Sequence, residues 1–343
     1  MKLGHRTATR FIICASVLAL SHYLIAQHYT VTSLGDCGGL AYSFGINDSG
    51  AVVGYCTNGS EAQRPFLWTP AGGLRNIGTL GGDVANASAI NNAGSVVGYS
   101  ELAGDAIYHA FLWTKATGMQ DLGTLGGSNS SAHGINNLGQ VVGLSYITGD
   151  SEYHAFLWSQ ATGMQDLGTL TGLPVCIALS INDSDEVAGD CQQALGNSFQ
   201  RAFLWTQATG MKDLGTLGGA DSAATGINAS GEVVGTARTP DNVPHGFYWT
   251  QSAGMQEIVT PGSASLAFAV NDSGEVAGGF FPSGAAFVWS TSGGVKKINA
   301  LLGRNSRWWV GGSYAINSSG QLAAGGGTKS NPCCDAFLVT PGK

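Results

Sequence analysis

Short apolar runs alternate with polar turns along nearly the whole chain, and no segment holds the three-and-four spacing of a helix. The stretch 128–170 is typical. Its apolar runs cover 131–136, 139–145, 154–159 and 164–170, each rich in Val, Leu, Phe, Trp or Thr and bounded by Gly, Asn, Ser or Asp. Runs of this length and composition predict four β-strands joined by tight turns.

The same four-run unit recurs seven times. The phrase Ile-Asn-x-x-Gly-x-Val-Val-Gly, with some drift, places its Asn at Asn47, Asn91, Asn136, Asn182, Asn228, Asn271 and Asn317, at intervals of 43 to 46 residues. Seven units of four strands predict an all-β fold, a seven-bladed β-propeller. In the first strand, Ser43, Ala87, Ala132, Ala178, Ala224, Ala267 and Ser313 make a face of small residues, as needed where blades converge on an axis. In the third strand, Phe66, Phe111 and their five equivalents alternate with Trp, which suits the wider gap farther out. The chain enters on 29–34, which matches a fourth strand, and leaves on 335–340, which matches a third. This offset predicts a ring closed by the N-terminal strand completing the last blade, so that no sheet edge is left free there.

The first 26 residues differ in kind. Lys2, Arg6 and Arg10 precede an apolar run over 11–20, and the small Ala26 precedes Gln27. This is the layout of a signal peptide, with a single propeller domain over 27–343. The expected location is outside the cytoplasm, secreted to the periplasm or beyond, with no membrane span in the mature chain. Without the leader, 12 basic residues face 22 acidic ones, a net charge of −10. Such a surface repels phosphate backbones, which argues against a nucleic-acid partner. A monomer is expected.

With the unit written out, the chain resembles the HAF-repeat family of extracellular repeat proteins. The tripeptide stands intact at His109-Ala110-Phe111 and His154-Ala155-Phe156 and drifts elsewhere, as in Arg201-Ala202-Phe203 and His245-Gly246-Phe247. Gly-Thr-Leu-Gly-Gly recurs from Gly78, Gly123 and Gly215. The resemblance implies secretion and a repeat architecture, and brings no catalytic residues with it.

Candidate chemistry is sparse. No Gly-x-Ser-x-Gly, His-Glu-x-x-His or P-loop occurs, so no catalytic residue, metal or cofactor is assigned. The Asn-x-x-Gly turns lack the alternating carboxylates of a calcium loop. His109, His154 and His245 are blade equivalents spread around a ring, and Asp121, Asp166, Asp213 and Glu257 read as solvated edge charges. The repeats differ most in the connections between second and third strands, which share a rim with the connections between blades. Loops held by a rigid scaffold carry binding residues, so that rim is the expected functional surface. Its aromatic candidates are Trp308 and Trp309 with Arg307 beside them, Tyr108, Tyr153, Phe280 and Phe281. The expected partner is an extracellular ligand, a carbohydrate or a protein. An alternative is a lyase or glycosidase using loop acids such as Glu101, Asp105, Asp150 and Glu152 on the same face.

Six cysteines follow the leader. Setting Ile181 opposite Glu186 and counting five residues outward brings Cys176 opposite Cys191, the leading disulfide. Cys37 and Cys56 flank the first two strands of the first unit and form the next pair. Cys333 and Cys334 are left as an adjacent disulfide or as free thiols.

Overall fold

The computed structural model describes residues 28–58, 62–104, 106–196, 199–258, 260 and 263–342. Each repeat forms one antiparallel sheet of four strands, and seven sheets stand around an axis. They are numbered here as blades 1 to 7 in chain order, with strands A to D from the axis outward. Blade 1 has strand A at Ala41–Ile46, B at Val52–Thr57, C at Gln63–Thr69 and D at Gly73–Asn76. The A strands of blades 2 to 7 are Gly81–Ile90, Gly126–Ile135, Val175–Ile181, Ser222–Ile227, Ala264–Val270 and Trp308–Ile316.

Blade 7 takes its outermost strand from the other end of the chain. Tyr29–Ser33 pairs with Asn331–Pro341, setting Thr30 opposite Thr340 and Ser33 opposite Phe337. The closure expected from the phase offset is present. The leader over 1–26, with Cys14 and the expected first mature residue Gln27, lies outside the described residues. One helical turn, Ile298–Leu301, departs from the strand-only pattern. It presents Asn299, whose side chain bonds both the N–H and the C=O of Val310 at 2.8 Å and so anchors strand A of blade 7.

The small residues sit where blades converge. A Cβ on Gly45 would lie 3.1 Å from the Cα of Ala89 in the next blade, and one on Gly226 would lie 3.1 Å from that of Ala269. Farther out, the seven Phe residues of the C strands are fully buried. Each A strand also carries a β-bulge at one residue, between Ser43 and Gly45 in blade 1 and at the equivalent place in the other six.

A closed circuit of hydrogen bonds ties the blades together at the A–B turns. Nδ2 of each repeated Asn donates to the backbone carbonyl of the next, from Asn47 to Asn91 and onward, at 3.0 to 3.1 Å, and Asn317 returns to Asn47. Each Oδ1 accepts the N–H four residues on, holding its own turn. The turn then needs a left-handed residue, Gly50 with φ 77° in blade 1 and Asp185 with φ 62° where blade 4 lacks the glycine.

The fourth-strand carboxylates stay exposed on the outer edge, as expected, and each also lies beside a basic side chain. His109 Nδ1 lies 2.8 Å from Asp121, His154 Nδ1 2.7 Å from Asp166 and Arg201 Nε 3.0 Å from Asp213. His245 Nδ1 lies 2.9 Å from Glu257, although the ring is turned so that no hydrogen bond forms. Asp121 and Asp166 also accept the N–H two residues on, from Gly123 and Gly168. In blades 2, 3 and 4 the first residue of the tripeptide therefore clasps strand C to strand D within its own blade, whereas Arg64 of blade 1 pairs with Asp83 of blade 2, and the three imidazoles lie beside three separate carboxylates.

Cys176 stands opposite Cys191 and is bonded to it, with the Cα atoms 4.1 Å apart. Cys37 is bonded to Cys56, and Cys333 to Cys334. The inner register differs from the expected one: Ile181 faces Val187 rather than Glu186. The bulge at Leu179 takes up the extra residue, so the count outward still ends on Cys191.

Candidate functional site

The antiparallel meander puts the start of strand A, the end of B and the start of C of every blade on one rim. In blades 1 and 2, Tyr55 and Tyr99 sit in strand B one residue past the glycine that faces the buried Phe of strand C. They lie on the opposite face of the sheet from that Phe. Tyr42 and Phe44 on strand A of blade 1 pack on Tyr55, with ring centroids 5.1 and 5.9 Å away. Tyr99 packs edge-on against Tyr108 in blade 2, and Tyr146 against Tyr153 in blade 3, both at 5.6 Å.

These pairs join into one line. The Tyr55 hydroxyl is raised by burial and by Tyr42 and Tyr99; that of Tyr108 by burial, Tyr146 and Tyr99; that of Tyr314 by burial and Tyr42. Among the described residues, the one ring contact between blades on this run is Phe44 with Tyr314, at 5.8 Å, and the tyrosines otherwise influence one another through space. Seven tyrosines thus run from Tyr314 in blade 7 through Tyr42, Tyr55, Tyr99, Tyr108 and Tyr146 to Tyr153 in blade 3. At neutral pH raised phenols remain protonated, so they serve as donors as well as acceptors.

The line ends on blade 4. Gln192 donates from Nε2 to the Tyr153 hydroxyl, and Asp190, two residues earlier, adds to burial in raising that phenol. Asp190 occupies the strand position held by Tyr55 and Tyr99 in their blades. It is 5% exposed, and burial pushes its carboxyl up to about 7. Beyond it, between blades 5 and 6, a cleft of about 350 Å³ is lined by Leu266, Pro244, Phe281 and Arg238, the last paired with Asp221 at 3.3 Å.

The sequence candidates fall into four groups. Tyr108 and Tyr153 belong to the tyrosine line. Phe281 is 54% exposed and walls the cleft, whereas its neighbour Phe280 points the other way into the core, 5.2 Å from Phe287. Trp308 and Trp309 open strand A of blade 7 rather than forming a free connection. Trp308 packs edge-on against Phe337 at 5.1 Å with the Arg307 guanidinium 4.3 Å above it, and Trp309 covers Gly311. Among the loop acids, Glu101 accepts the Val84 N–H at 2.9 Å and Asp150 the Ser128 N–H at 2.7 Å, so both fasten loops. Asp105 lies outside the described residues.

Sequence reasoning passes over Tyr42, Tyr55, Tyr99 and Asp190 because they lie in strands and not in the variable loops, and over Tyr146 although it opens the variable connection of its unit. A carboxylate inside Val-Ala-Gly-Asp-Cys-Gln, where other blades carry Tyr, Leu, Thr or Gly, is the available signal.

No protein-family model and no curated protein sequence matches the chain. Among solved structures it is similar to a streptogramin B lyase, with 11% identity and a TM-score of 0.61, covering 92% of this chain and 98% of that one. A catalytically inactive variant of virginiamycin B lyase from Staphylococcus aureus with quinupristin is 13% identical, with a TM-score of 0.56 over 91% and 99%. The propeller domain of the Trilobed protease from Pyrococcus furiosus, described as having an open velcro topology, is 10% identical, with a TM-score of 0.60 over 89% and 96%. At such identities the likeness concerns architecture, and it agrees with the sheet order: the chain is a seven-bladed β-propeller.

Proposed function

We propose that this chain is an exported propeller of the HAF-repeat type that binds carbohydrate through its tyrosine-lined rim. The observation that carries the reading is the run of seven tyrosines along the rim of blades 7, 1, 2 and 3, paired ring on ring within blades 1, 2 and 3. Tyrosine offers an apolar face and a hydroxyl at low cost in side-chain entropy, which suits the mixed C–H and O–H surface of a sugar. An acidic protein favours a neutral polymer over an anionic one. Three cysteine pairs support an oxidising compartment.

Asp190 favours a second reading, an enzyme of lyase or glycosidase type on the same face. A buried carboxyl near 7 can hold or release a proton at neutral pH beside Tyr153. Affinity electrophoresis through gels holding neutral and acidic polysaccharides tests the first reading: at least one neutral polymer should retard the protein, and unchanged mobility in every gel contradicts it. Chain cleavage that is lost in Asp190→Asn would move the assignment to the second.

A further inference from the structure

The axial channel has two uniform levels and one that is not. At the A–B turns stands the ring of seven Asn, and next to it a ring of six Ile and Val270. One level farther in, toward the tyrosine rim, the residues are Phe44, Ser88, His133, Leu179, Thr225, Phe268 and Tyr314. Each is the bulged residue of its A strand. A bulge re-aims a side chain, and here the same bulge in every blade is spent on a residue that hardly repeats. A pure scaffold has no use for that variety.

The chamber at this level holds about 180 Å³ and has two unlike walls. Phe44, Tyr314 and Phe268, from blades 1, 7 and 6, stack in a row with centroids 5.8 and 5.3 Å apart. Diametrically across a ring of seven from blade 7 stand blades 3 and 4, which contribute His133 and Leu179. His133 lines the chamber with part of its ring, while its Nε2 is covered by protein and has no hydrogen-bond partner. Burial pushes the imidazole down to about 4, so it is neutral at pH 7. No Asp, Glu, Lys or Arg lines the chamber.

We infer that this chamber is a binding site for a small uncharged aromatic alcohol of the phenol class, sharing only Tyr314 with the carbohydrate surface above it. Its ring lies against the Phe44–Tyr314–Phe268 wall and its hydroxyl reaches His133. An ion would lose its hydration with no countercharge to replace it. A hydroxyl both donates and accepts, so it satisfies a neutral imidazole in either tautomer. The volume is slightly above the roughly 150 Å³ at which an engineered cavity in another protein accepts benzene.

The test uses phenol as the probe and toluene as its apolar counterpart, with the full-length protein at pH 7 and calorimetry as the readout. Phenol should bind saturably, one per chain, and about fivefold more tightly than toluene, the effect of one net hydrogen bond. His133→Phe should abolish that preference and keep toluene binding, while Leu179→Trp, which fills the chamber, should abolish both. Should either variant fold poorly, the native protein labelled with ¹⁵N-histidine decides: phenol should move the ring nitrogens of His133 and leave the other histidines in place. Absence of saturable binding, equal affinity for the two probes with His133 unmoved, or binding that survives Leu179→Trp each overturns the inference. Phenol binding lost in Tyr108→Ala but kept in Leu179→Trp would place it on the rim and equally overturn it. None of these outcomes bears on polysaccharide retardation.

Discussion

Replacing Asp190 with Asn should make the protein more stable above neutrality and leave it nearly unchanged in acid. The native carboxyl is held near 7 by burial, against 3.8 when free. That is a factor of about a thousand in proton affinity, or about 4 kcal/mol. Because the folded value is the higher one, the native state binds more protons than the unfolded state between 3.8 and 7. Stability therefore falls as pH rises through that window and levels off above 7. Asn has the same shape and never ionises, so Asp190→Asn should gain up to about 4 kcal/mol over the wild type at about pH 8 and less than about 1 kcal/mol at about pH 4. His133 acts in the opposite sense. Its folded value, about 4, lies below the ordinary 6.5, so it contributes stability above 6.5 that is lost on acidification toward 4, about 3 kcal/mol at most. The two contributions nearly cancel in the wild type, and the variant should expose the histidine slope. Guanidinium unfolding at pH 4, 6 and 8 measures both profiles. A stability difference between the two proteins that is the same at pH 4 and pH 8 would refute the assignment of Asp190 as a buried, high-affinity proton site.

Three further outcomes are expected. Asn136→Ala removes one link of the inter-blade circuit, leaving the Gln140 N–H without its partner and the Asn182 carbonyl with only the Asp185 N–H, and should cost about 1 to 3 kcal/mol in chemical denaturation. Deleting residues 28–33 uncovers strand C of blade 7 and should lower the melting temperature sharply and promote association; unchanged melting would contradict strand closure of the ring. Changing Cys176 and Cys191 together to Ala opens a 15-residue loop and should cost about 3 kcal/mol under non-reducing conditions, with no added effect of reductant on that bridge.

The architecture is legible in the sequence because it is periodic. Seven copies of one turn state the blade count, and the extra strand at 29–34 states how the ring closes. Contacts between copies are less legible. The sequence pattern assigns the repeated Asn to its own turn, whereas one of its side-chain hydrogen bonds goes to the next blade, which a single unit does not contain. The clasp of His109 on Asp121 escapes a linear reading because the two belong to different strands and become neighbours only through the C–D pairing. The Cys176–Cys191 register comes out right through two departures that offset each other, a turn one residue longer than expected and a bulge at Leu179. For the site, variable loops point to the rim on which Tyr108 and Tyr153 lie. The strand tyrosines, Asp190 and the bulged channel residues stay hidden because loop variability carries no information about strand positions. Loop variability also groups Phe280 with Phe281, although neighbours in a strand face opposite ways.

The central claim, that the tyrosine line is the ligand surface, is tested most directly by titrating a polysaccharide that retards the wild type against the double variant Tyr108→Ala, Tyr153→Ala. The account predicts affinity at least about tenfold weaker, about 1.4 kcal/mol, with the melting temperature little changed. Equal affinity in the two proteins, both folded, would contradict it.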